Sequence, residues 1–167
     1  MAGKKNDLIK SKERVEKYGE VFTPEHIVRQ MCNSLPLKEA WQTVVSTFLE
    51  PTCGNGAFLK EILTRKLNYC TTPLQGLCAL ESIYGIDIQA DNVEESKQAL
   101  LDIFFGKFEK SEKYESFAKM IIDRNVICAD SLKFMKLLKD AEWDEAIEKY
   151  HVDEQPQTYV RLEDINA

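Results

Sequence analysis

Phe48-Leu49-Glu50-Pro51-Thr52-Cys53-Gly54-Asn55-Gly56-Ala57-Phe58-Leu59 is the stretch on which the fold turns. The residues leading into it, Val44 to Leu49, are β-branched and aromatic, which suits a buried strand. The residues that follow, Ala57 to Leu67, read as a helix. Between them stand two glycines. Without a Cβ, Gly54 and Gly56 let the chain turn sharply with a ligand lying against its backbone. The helix beyond the turn offers free N–H groups and the positive end of its dipole. A glycine pair after a strand is common in α/β proteins, so this stretch needs support from elsewhere.

Downstream, Ile83-Tyr84-Gly85-Ile86-Asp87-Ile88 reads as a second strand. Asp87 falls at its carboxyl end, where a carboxylate can accept both ribose hydroxyls of an adenosine. Asp91 is the expected cap of a helix running to about Phe105. Asn125 to Ala129 reads as a short third strand ending at Asp130-Ser131, a second acidic site able to accept from an adenine amino group. Leu132, Met135, Leu137 and Leu138 then suggest a helical stretch. Residues 68–80 are expected to be a connector with some helix near its end, and Lys107 to Lys119 a loop or an exposed helix. Upstream, Thr23-Pro24-Glu25 resembles a helix start with Thr23 as cap. Ile27, Val28 and Met31 follow at helical spacing until Leu35-Pro36. Residues 38–42 suggest a further turn of helix, and residues 1–18 show no clear apolar period. Strands alternating with helices imply βαβ units and a parallel sheet, with a ligand crevice at the strand ends. Taken singly, each aspartate is a plain cap or loop residue. Two at successive strand ends beside a glycine turn favour a nucleoside-type ligand. The full G-x-G-x-x-G spacing of dinucleotide sites is absent.

Bulk properties bound the possibilities. A chain of 167 residues corresponds to about one domain, and 44% hydrophobic with 30% charged residues is a globular balance. The longest apolar runs are too short to span a membrane. Lys4 and Lys5 are followed by polar residues, unlike a signal peptide. Five cysteines lie far apart with no C-x-x-C pair and only two histidines, which argues against zinc and for free thiols in a reducing cytoplasm. A net charge of −6 argues against an autonomous nucleic-acid binder. Charge divides the chain into a basic leader (1–18), a central domain (19–140) and an acidic tail (141–167). The basic leader could touch a phosphate backbone, although a solvated segment is the simpler reading.

Tyr18-Gly19-Glu20-Val21-Phe22-Thr23-Pro24, the Pro51–Gly56 turn, Gly85-Ile86-Asp87 and Asn125-Val126-Ile127-Cys128-Ala129-Asp130 together resemble the adenine-specific DNA methyltransferases of restriction–modification systems. The similarity covers roughly residues 14–138, with four motifs in the family's order. The resemblance implies a Rossmann-like methyltransferase fold, truncated after about three parallel strands and preceded by a helical segment. It implies S-adenosylmethionine as cofactor. Phe22, Thr23 and Pro24 would close over its methionine end, and Glu50 with the turn residues Pro51, Cys53, Gly54 and Gly56 would lie beneath methionine and ribose. Asp87 would hold the ribose hydroxyls, and Ile88 would lie against the adenine. Asp130 would meet the adenine amino group, flanked by Ser131 or Leu132. Phe22 could equally be a core aromatic, and Thr23 a plain helix cap.

In that family the chemistry occurs at a later tetrapeptide, N/D-P-P-Y/F, on a base flipped out of the duplex. No such tetrapeptide is present. Trp143-Asp144-Glu145-Ala146-Ile147 stands where the fourth strand should begin, but its acidity suits helix or loop better. The resemblance thus implies a cofactor-binding part with little activity alone, touching DNA only within a larger assembly. In the family strand one is central, so its far edge here calls for cover by the tail, a second copy or a second subunit.

Overall fold

The computed structural model describes residues 8–35 and 38–154. Lys4 and Lys5 of the leader, Pro36, and residues 155–167 of the acidic tail lie outside the described residues. In chain order the elements are α1 (Lys12–Tyr18), α2 (Glu25–Ser34), α3 (Lys38–Gln42), β1 (Phe48–Glu50), α4 (Ala57–Leu67) and α5 (Pro73–Glu81). They continue with β2 (Ile83–Asp87), α6 (Ala90–Lys107), α7 (Glu112–Asn125), β3 (Val126–Cys128), α8 (Ser131–Leu137) and α9 (Trp143–Glu154). The chain divides after Cys128 into two compact units.

The first unit is α/β. Its three strands are parallel in the order β1-β2-β3, with Phe48 opposite Ile83 and Gly85 opposite Val126. Among the described residues β1 therefore has a neighbour on one side only. Around the sheet, Leu59, Leu63 and Leu67 of α4, Leu77 and Leu80 of α5, Leu100 and Phe104 of α6, and Ile122 of α7 form one buried core. No helix of the described residues is long and apolar enough to cross a membrane. All five cysteines are free thiols.

The first strand is shorter than its β-branched run suggests. Val44 and Val45 lie in a turn, and strand pairing starts at Phe48. The reason sits on α4. Lys66 is fully buried and donates its ammonium hydrogens to the carbonyls of Val44 (2.9 Å) and Ser46 (2.5 Å) and to Ser82 Oγ (2.7 Å). Carbonyls that would otherwise seek a neighbouring strand are satisfied by a cation instead. Burial pushes the Lys66 ammonium down to about 8. Its Nζ also lies 5.1 Å from the centre of the Phe48 ring, which stacks on Trp41 at 4.9 Å.

Three helix starts differ from the local reading. Pro24, not Thr23, occupies the cap position of α2, and no side chain caps it. Gln89 precedes α6, which places Asp91 inside the first turn, where Arg14 and Lys10 hold it. The connector at 68–80 is mostly α5, opened by a capping box in which Thr72 Oγ1 accepts from the Gln75 N–H and Gln75 reaches back to the Thr72 N–H. Asn125 ends α7 rather than starting β3, because its side-chain amide donates to the carbonyls of Glu81 (2.9 Å) and Ile83 (3.2 Å). Lys12–Tyr18 forms a helix within the leader, capped by Ser11 and ended by Gly19.

The second unit contains α8 and α9. Phe134 packs against Trp143 and Tyr150, with ring centres 5.0 and 5.8 Å away. Residues 143–154 are helical, so no fourth strand begins at Trp143.

Candidate functional site

Beyond Glu50 the chain leaves β1 and turns at once. The Cys53 N–H donates to the Ile86 carbonyl (2.8 Å), tying the turn to β2 beside it. Gly54 and Gly56 take left-handed backbone angles, φ 53° and 78°, which L side chains rarely adopt. Each is also closely approached. A Cβ on Gly54 would lie 3.3 Å from Phe22 Cδ1, and one on Gly56 would lie 2.8 Å from Ser96 Oγ. The Ser96 hydroxyl, on α6, donates to the Gly54 carbonyl at 2.9 Å. The turn is thus held from three directions before any ligand arrives.

Asp87, at the end of β2, completes the arrangement. Its Oδ2 accepts the Gly54 N–H at 2.9 Å. Its Oδ1 accepts from the Gln89 N–H (2.9 Å) and from Asn92 Nδ2 (3.2 Å). A carboxylate offers about four acceptor positions. Oδ1 is filled by the protein and Oδ2 keeps one place open, which suits one ligand hydroxyl rather than two. Ile88 follows at 52% exposure, an apolar side chain available to a flat ring.

Glu50 is half-buried. Burial raises its carboxyl, while the Thr52 N–H and hydroxyl oppose that by hydrogen bonding to it. The Cys53 thiol is buried and pushed up to about 12, mainly by desolvation and then by the charge of Asp87. That favours the neutral thiol, a poor nucleophile.

The first unit brings Phe22, Cys53, Gly54, Gly56 and Asp87 into one contact set. Phe22, Thr23 and Pro24 are half-buried, and the Phe22 N–H donates to the Leu8 carbonyl at 2.8 Å. Asp130 belongs to the second unit. There its Oδ1 accepts the N–H groups of Leu132 (2.9 Å) and Lys133 (3.2 Å) as the cap of α8, and Ser131 is the first helical residue. Ser96, Gln89 and Asn92 escaped the reading of the sequence, since nothing local marks a helix serine as the partner of a carbonyl 42 residues away.

Among the described residues no group of three or more His, Cys, Asp or Glu side chains could hold a metal ion. Comparison with protein-family models, with curated proteins and with solved structures found no match to this chain.

Proposed function

We propose that this chain is the S-adenosylmethionine-binding portion of a DNA adenine-N6 methyltransferase of a restriction–modification system, carrying the first three parallel strands of a Rossmann-like methyltransferase fold. The observation that carries this reading is the bond from the Gly54 N–H to Asp87 Oδ2, with the Phe22 ring against Gly54. It joins three of the motifs that resemble the family into a single site. The donor set fits the cofactor. The open Oδ2 position of Asp87 would take a ribose hydroxyl, and Ile88 would lie against the adenine. Glu50, Pro51, Cys53, Gly54 and Gly56 would line the ribose and methionine, under Phe22, Thr23 and Pro24. The cofactor, when bound, supplies a methyl group on a positively charged sulfonium, and carboxylates at Glu50 and Asp87 suit that charge.

The N/D-P-P-Y/F tetrapeptide is absent from all 167 residues, so this chain alone transfers little or no methyl to adenine. Among the described residues β1 pairs on one side only, which supports a second subunit, or a second copy, beside that edge. In this reading a separate subunit brings the tetrapeptide and the DNA-recognition surface, and DNA is met only in that assembly.

The same absence supports a second reading, a non-catalytic protein that keeps the pocket to bind the cofactor or a methyltransferase partner. Methyl-labelled cofactor and DNA, incubated with the chain and with subunits encoded beside it, separate the two. Label in DNA only when both polypeptides are present supports the split enzyme, and no label in any combination supports the binding protein. Calorimetric titration with S-adenosylmethionine tests what both share.

A further inference from the structure

Glu20 stands in the segment before α2 without an assigned role, yet its side chain is only 9% exposed. Its Oε2 accepts from Arg14 Nη2 (2.6 Å) and from Asn92 Nδ2 (2.8 Å). The same amide nitrogen of Asn92 donates to Asp87 Oδ1. Asn92 is 1% exposed. One buried amide therefore spends its two hydrogens on two carboxylates, one in the N-terminal segment and one in the candidate site. Arg14 continues the chain outward through Nη1 to Asp91 Oδ2 (2.6 Å), and Lys10 clasps Asp91 (2.8 Å) and Glu95 (2.7 Å) on the same helix. Those contacts hold the Asp91 carboxyl well below the usual range, Arg14 contributing most and Lys10 next.

Among the described residues the network is also incomplete: Glu20 Oε1, Asn92 Oδ1 and Arg14 Nε are buried and find no hydrogen-bond partner there. A linkage kept for stability alone would be expected to satisfy such atoms, because each costs its desolvation. Here the geometry favours the orientation of Asp87 over full satisfaction.

We infer that Asn92 and Glu20 are positioning residues for Asp87, and that through them the segment Leu8–Pro24 sets how tightly the site holds a ribose-bearing ligand. Asn92 and Gln89 fill Oδ1, which leaves Oδ2 as the ligand's oxygen. Loss of the arm's contacts frees Asn92 to leave Asp87, and the carboxylate then rotates. The ligand named here rests on the reading proposed above, whereas the linkage itself does not.

Two measurements on the full chain test it. In ligand-free protein, Asn92→Ala should speed hydrogen exchange of the Phe22 amide, which donates to Leu8, at least tenfold while amides inside α4 keep their rates. Should Asn92→Ala fail to fold, Glu20→Gln carries the same measurement. With S-adenosylmethionine as probe, Glu20→Gln should weaken binding about tenfold in the native background and less than twofold beside Asn92→Ala, since the second change has already cut the link. Unchanged Phe22 exchange, or the same loss in both backgrounds, would overturn the inference. If the unaltered chain takes up no S-adenosylmethionine, the functional reading fails, and the exchange measurement still decides the linkage.

Discussion

The backbone N–H of Gly54 donates to Asp87 Oδ2 across 2.9 Å, joining the turn that follows β1 to the last residue of β2, 33 positions away. That bond makes the glycine turn and the carboxylate one object. It also means that Asp87 has a structural duty, since three donors converge on its two oxygens. Asp87→Ala should therefore lower stability by about 2 kcal/mol, the scale of leaving buried donors unpaired. Denaturant unfolding of the two proteins checks this, and binding by the variant must be measured below its own transition.

Gly56→Ala should cost more than a typical surface change. The left-handed angle alone costs an L-residue about 1–2 kcal/mol, and the new methyl would meet Ser96 Oγ at 2.8 Å and Ser96 Cα at 3.2 Å. A loss of about 2–4 kcal/mol is expected from strain plus overpacking. Adding Ser96→Ala should recover part of it, as urea midpoints would report.

Lys66 gives the fold a pH signature. Its ammonium is driven from 10.5 to about 8 by burial, so the unfolded chain holds the proton more tightly than the folded one. Stability from this group is thus fully present above pH 10.5 and is lost as pH falls through about 8. The stability difference between the native chain and Lys66→Met should rise by up to about 3 kcal/mol between those limits. Below pH 7.5 it should be flat. Paired urea titrations at pH 7, 9 and 10 measure it.

Asp91→Asn should do little. The carboxylate bridges Lys10 and Arg14 but is half exposed, and such pairs contribute under about 1 kcal/mol and fade with salt. Thermal melts at low and high salt should converge for the native and altered chains.

Much of the architecture was legible because it rests on local pattern. The limits of α4, the parallel sheet and the position of Asp87 at a strand end follow from apolar runs, glycine placement and the alternation of strands with helices. What escaped depends on partners distant in sequence. Val44 looks like a strand residue, but Lys66, 22 positions on, claims its carbonyl. Thr23 and Asp91 look like helix caps, but Pro24 takes the first place, and Arg14, 77 positions before Asp91, claims the second residue's charge. Asp130 illustrates the reverse case: its cap is local, made within the first turn of α8. The capping box at Thr72 and Gln75 could have been read from T-x-x-Q alone. The sequence motifs supplied Phe22, Gly54 and Asp87, which meet in the fold, while no local signal marked Ser96 and Asn92 as their partners.

The most direct test of the central claim is calorimetric titration of the full chain with S-adenosylmethionine, beside folded Asp87→Ala. Saturable one-to-one heat in the native chain, weakened at least tenfold by the substitution, is the predicted result. No heat from the native chain, or equal binding by both, would contradict the account.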